Sequence, residues 1–204
     1  MYTKKIYFSI LVVTILILLR SSSFSQVQEN CASVEERSGV ATMKGKPIVL
    51  LGHEVKVGQK APDFVVQAND MSDARLNDFF GKIKLIASVP SLDTKVCDLE
   101  IRHFNQEASL LSPDIKILFI SMDLPFAQKR FCSAADIKNV RAFSDHRTGD
   151  FGINYGVLIK DIRLLSRAIF IVDKNDTVRY VQYVHEEGTQ PDYEAALKVL
   201  RSLL

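Results

Sequence analysis

Val89-Pro90-Ser91-Leu92-Asp93-Thr94-Lys95-Val96-Cys97 joins an apolar run, Ile83 to Ser88, to a row of apolar residues at Cys97, Ile101, Phe104, Ala108 and Leu111. The row advances by alternate steps of four and three residues, which places it on one face of a helix pointing into a core. The run before it is short and almost wholly apolar, as expected of a strand buried on both faces of a sheet. Strand, loop and amphipathic helix in that order form the repeating unit of an α/β fold.

The same pattern continues on both sides. Asp63 to Ala68, Ile115 to Met122, Arg167 to Val172 and Thr177 to Val184 read as strands, and Lys174-Asn175-Asp176 is the turn between the last two. A helix is expected from Pro125 to Ala135, with Asp123 as its cap and Pro125 in its first turn, where a missing amide hydrogen costs nothing. Another closes the chain, capped by Asp192, with Tyr193, Leu197, Leu200 and Leu204 on its inner face. Lys46 to Leu51 and Glu54 to Val57, separated by Gly52-His53, predict an N-terminal hairpin. The sum is a three-layer α/β fold with a mixed central sheet.

Not all of the 204 residues belong to that domain. Lys4 and Lys5, the apolar run Ile6 to Leu19, and the small residues Ser23 and Ser25 read as a secretory signal, residues 1–25. The run is shorter than the roughly 20 residues that span a bilayer as a helix. Arg20 directly after it keeps open an uncleaved N-terminal anchor, the one reading that brings a membrane into play. Export to the periplasm is the expected destination, and the cytoplasm if the segment is not a functional signal. Residues 26–44 lack hydrophobic periodicity and read as a linker that carries Cys31, and the domain is expected over 45–204. The chain has 26 basic and 24 acidic side chains, and the excess falls in the leader, which holds Lys4, Lys5 and Arg20 and no acid. No nucleic-acid footprint is expected from such a balance.

The chemistry gathers at Cys97. A thiol in the first turn of a helix faces unpaired amides and the positive end of the helix dipole, both of which favour the thiolate. Thr94 lies one turn back, within reach of the sulfur. Pro90 stiffens the loop and shields the site. Arg167, at the start of a buried strand, is the candidate cation, because a guanidinium there is costly without an anionic partner. Taken alone, a cysteine at the head of an apolar stripe is core packing; the spacing of Pro90, Thr94 and Cys97 after a strand favours a reactive thiol. Cys132 in isolation is a second buried cysteine on a helix. The histidines at 53, 103, 146 and 185 show no ligand spacing, so no metal is expected.

Pro90, Thr94 and Cys97, with Glu100 behind them, resemble the peroxiredoxin signature. Asp123-Leu124-Pro125-Phe126-Ala127-Gln128 through Arg130-Phe131-Cys132, Tyr155-Gly156-Val157 and Pro191-Asp192-Tyr193-Glu194-Ala195-Ala196-Leu197 resemble its thiol peroxidase branch. The resemblance runs from about Met43 to Leu204. It implies a thioredoxin-like fold, a homodimer and reduction of hydrogen peroxide and alkyl hydroperoxides without a cofactor. It further implies that Cys97 is the peroxidatic thiolate and that Cys132 resolves it as an intrachain disulfide. Thr94 and Arg167 would hold thiolate and peroxide, Pro90 and Glu100 would line the substrate pocket, and a thioredoxin-like dithiol would be the reductant. Ser133 stands where that branch commonly has glycine. Two other readings compete: a thiol-disulfide oxidoreductase acting on proteins, which normally uses a Cys-x-x-Cys pair that this chain lacks, and a redox-sensing or holdase module in which Cys97 reports oxidation to a partner.

Overall fold

A computed structural model describes residues 34–204. The signal or anchor and residues 26–33 of the linker, Cys31 among them, lie outside the described residues.

Seven strands form the central sheet in the order β10-β9-β5-β6-β7-β3-β4. They are β3 Val65–Ala68, β4 Asp73–Arg75, β5 Ile83–Ser88, β6 Ile115–Ser121, β7 Arg141–Ser144, β9 Ala168–Val172 and β10 Val178–Tyr183. The pairs β5 with β6 and β6 with β7 are parallel, and the remaining neighbours are antiparallel, so the sheet is mixed as expected. All six residues of β5 are buried, which explains its nearly continuous apolar sequence. Its one charged residue, Lys84, is buried and bonded to the carboxylate of Asp176.

The sheet separates two apolar layers. On one side Leu85, Ile117, Phe119, Ile169 and Ile171 meet Ile101 and Phe104 of helix α1, Lys95–Ala108, and Leu197 and Leu200 of helix α4, Tyr193–Ser202. On the other, Ile86, Leu118, Ile120 and Phe170 meet Phe151 of the short helix α3, Asp150–Asn154, and Tyr155 beyond it. Leu204 lies beyond the last turn of α4 and is exposed, so the expected stripe is one residue too long. Among the described residues, no helix is long and apolar enough to cross a membrane.

The N-terminal hairpin exists but begins one strand earlier than the sequence suggests. Strand β1, Glu36–Met43, pairs with β2, Lys46–Leu51, which also pairs with β8, Leu158–Ile159. Residues 36–43, expected in the linker, are therefore strand, and Glu54 to Val57 is not. The cause is local. The ladder shifts register between Arg37 and Ala41, where Gly39 has a positive φ, and that irregularity erases the alternation by which a strand is read. Lys44 and Gly45 turn the hairpin with φ of 53° and 74°, the double positive φ that a tight two-residue hairpin turn needs. Gly52 also has a positive φ, but it closes β2 against α3: a Cβ there would stand 1.8 Å from the carbonyl oxygen of Ile153.

Candidate active site

Helix α1 begins as its sequence dictates. Thr94 is the cap residue, in extended backbone with φ −92° and ψ 144°, and its hydroxyl oxygen lies 3.4 Å from the amide of Cys97. The same oxygen lies 2.8 Å from Cys97 Sγ and 3.1 Å from the carbonyl of Ser91. Its single proton can therefore be given to the sulfur. Thr94 is exposed at the surface, whereas Cys97 beneath it is 0 % exposed. Pro90 is buried in the loop between β5 and α1.

Arg167 lies one residue before β9, where the expected strand begins one residue early. It is buried, and Nη2 lies 3.2 Å from Cys97 Sγ. Nη1 donates to Glu100 Oε2, a residue one turn along α1 from Cys97. The structure thus brings Cys97, Thr94, Arg167 and Glu100 together. Glu100 is bonded to the guanidinium, and the hydrogen bonds to the sulfur come from Thr94 and Arg167. Burial raises the Glu100 carboxyl to about 7, although Arg167 pulls the other way. Its second oxygen, Oε1, is buried without a hydrogen-bond partner.

Glu187 belongs to this site and carries no signal in the sequence beyond a pair of acids after a strand. Its carboxylate accepts from the backbone amide of Arg167, at 2.9 and 3.1 Å, and from Ser166 Oγ. Its carbonyl oxygen accepts from Arg167 Nε and Nη2, at 3.4 and 3.2 Å. Burial pushes the Glu187 carboxyl up, opposed by those same bonds. Ser88, at the end of β5, donates to the carbonyl of Ser166 at 2.7 Å, which ties this arch to the centre of the sheet. Tyr193, in the first turn of α4, packs against the apolar cluster that contains Cys97. Its ring stacks on His103 at 4.1 Å between centroids, and burial raises its hydroxyl.

Cys132 lies in helix α2, Pro125–Ala134, half-buried and packed against the apolar cluster that contains Cys97. Both thiols are free, and burial pushes that of Cys132 up. Asp123 does not cap α2 as expected; Leu124 occupies the cap position, with no side-chain bond. The Asp123 carboxylate instead accepts from Ser91 Oγ at 2.7 Å, from the amide of Leu92 at 2.8 Å and from Ser121 Oγ at 2.8 Å. It thereby braces the loop that leads to Cys97.

A buried cysteine with a hydroxyl and a guanidinium on its sulfur is an arrangement for stabilising a thiolate and charge on an oxygen beside it. Residues 56–197 match the Redoxin family. A thiol peroxidase from Oceanobacillus iheyensis is 56% identical over 159 residues, covering 78% of this chain and 96% of that protein. The chain belongs to the Redoxin family, as a peroxiredoxin-type thiol peroxidase. A thiol peroxidase from Bacillus subtilis is 46% identical over 163 residues, 80% of this chain and 97% of its own length. A peroxiredoxin-like protein from Aquifex aeolicus superposes with a TM-score of 0.77 at 39% identity, covering 82% of this chain and 98% of that one. The thioredoxin-like fold expected of this peroxidase is the one observed, with its mixed sheet and N-terminal hairpin.

Proposed function

We propose that this enzyme reduces hydrogen peroxide and alkyl hydroperoxides at Cys97, and the observation that carries the reading is the pair of donors, Thr94 Oγ1 and Arg167 Nη2, on one sulfur. The Cys97 thiolate attacks one oxygen of the peroxide, the O–O bond breaks, and the other oxygen departs as water or an alcohol once it has taken a proton. Cys97 becomes a sulfenic acid. Arg167 and Thr94 face the sulfur, so they also face the oxygens lined up on it, and they oppose the charge that builds on the departing one. Pro90 and Glu100 shape and orient this pocket, Glu100 by holding the guanidinium.

Cys132 then attacks the sulfenic sulfur, water leaves, and an intrachain disulfide joins Cys97 to Cys132. A thioredoxin-like dithiol reduces it, becoming a disulfide itself. The enzyme works as a homodimer, and the leader at 1–25 directs export, which calls for a dithiol donor in the same compartment. Stopped-flow oxidation with hydrogen peroxide or cumene hydroperoxide tests the central claim. Cys97 should react orders of magnitude faster than free cysteine, and a rate near that of free cysteine overturns it.

A further inference from the structure

The segment that holds Arg167 is itself held from outside the site. Glu186, next to Glu187, points away from the sulfur and into the β1–β2 turn. Its carboxylate accepts from Thr42 Oγ1 at 2.9 Å, from the amides of Lys44 and Gly45 at 3.0 and 2.9 Å, and from the amide of Gly188 at 3.2 Å. Lys44 and Gly45, both with positive φ, form the hairpin turn, and their successive amides each take one oxygen of the carboxylate, Oε1 and Oε2, as an anion-binding turn does. Those bonds, the Gly45 amide foremost, hold the Glu186 carboxyl down at about 2, so it is charged at any working pH. The backbone is paired as well. Thr42 N donates to His185 O at 2.6 Å, and Glu187 N donates to Thr42 O at 2.9 Å.

We infer that Glu186 is a positioning residue for the reaction: by locking residues 185–188 onto the hairpin turn, it fixes the Glu187 carbonyl and carboxylate that aim the Arg167 guanidinium at Cys97 Sγ. The chain of contacts is continuous from turn to sulfur. Glu187 is bonded to Thr42 on one side and to Arg167 at three nitrogens on the other. A guanidinium set 3.2 Å from a sulfur loses most of its effect on the reacting atoms if its acceptor drifts by an ångström. The inference rests on Cys97 being the reacting thiol.

The test uses the full-length chain in a Cys132→Ser background, so that Cys97 is followed without disulfide closure, and peptide mass spectrometry separates it from Cys31. Glu186→Gln, Thr42→Val and Thr42→Ser are compared with the parent for melting temperature, rate of Cys97 oxidation by hydrogen peroxide, and pH dependence of Cys97 alkylation by iodoacetamide. Glu186→Gln should slow peroxide oxidation by about tenfold and move the onset of alkylation to higher pH. Thr42→Val should do the same to a smaller degree, and Thr42→Ser, which keeps the hydroxyl, should match the parent. Folded Glu186→Gln and Thr42→Val proteins with the parent's rate and alkylation profile overturn the inference. If Glu186→Gln does not fold, Thr42→Val, which removes one hydroxyl, decides alone. A parent Cys97 that meets peroxide no faster than free cysteine, with an alkylation profile that still shifts in Glu186→Gln, overturns the peroxidase reading and upholds the latch.

Discussion

Glu187 grips Arg167 at both ends: its carboxylate takes the backbone amide and its carbonyl oxygen takes the guanidinium. With Glu100 on Nη1, four of the five N–H donors of the guanidinium have an acceptor, which fixes its orientation. Such a group stabilises developing charge without having to reorganise.

Replacing Arg167 by Lys keeps the charge and loses the fork that meets sulfur, Glu100 and Glu187 together. The rate of peroxide oxidation at Cys97 should fall by about 100-fold in stopped-flow measurements. A lysine variant at the parent's rate would mean that charge alone suffices.

Thr94→Val removes the hydroxyl on Sγ and the cap of α1 at once, whereas Thr94→Ser keeps both. The valine variant should lose about 1 kcal/mol of stability in denaturant titration and about tenfold or more in peroxide rate, while serine stays near the parent. Equal rates for valine and serine would remove the hydroxyl from the chemistry.

Glu100 gives a pH signature in stability. Its buried carboxyl binds protons up to about 7, whereas in the unfolded chain it releases them near 4.5. The native state therefore holds the extra proton between those values, and stability falls as pH rises through that window. Glu100→Gln lacks this titration. Its deficit in melting temperature relative to the parent should be largest near pH 5 and smaller near pH 8, as read by differential scanning calorimetry. A deficit independent of pH would show that Glu100 titrates normally.

Cys97→Ser should abolish turnover of peroxide. Cys132→Ser should consume one equivalent and stop as sulfenic acid, which dimedone traps for mass spectrometry. In the parent, the dominant disulfide after peroxide treatment should join Cys97 to Cys132. A dominant link between Cys31 and Cys97 would remove the role given to Cys132.

What could be read from the sequence followed from regular spacing. The strands around Ile83 to Ser88 and Ala168 to Val172, helix α1, and the cap that Asp192 provides through its bond to the amide of Ala195 all have the periods that burial imposes. The reach of Thr94 to Cys97 follows from one helical turn. Strand β1 escaped because a register shift destroys its period, and β4, β7 and β8, of three, four and two residues, are too short to show one. Glu187 escaped for another reason. A buried carboxylate is recognised by its partners, and those are Ser166 and Arg167, twenty-one and twenty residues back in the chain.

Asp123 has a consequence for how the thiols could meet. It stands at the root of α2, two residues before Pro125, and its carboxylate holds the loop in front of α1 through Ser91 and Leu92. One side chain thus moors the approaches to both cysteines. The root of the helix that carries Cys132 and the loop that leads to Cys97 are stitched to each other through a single carboxylate.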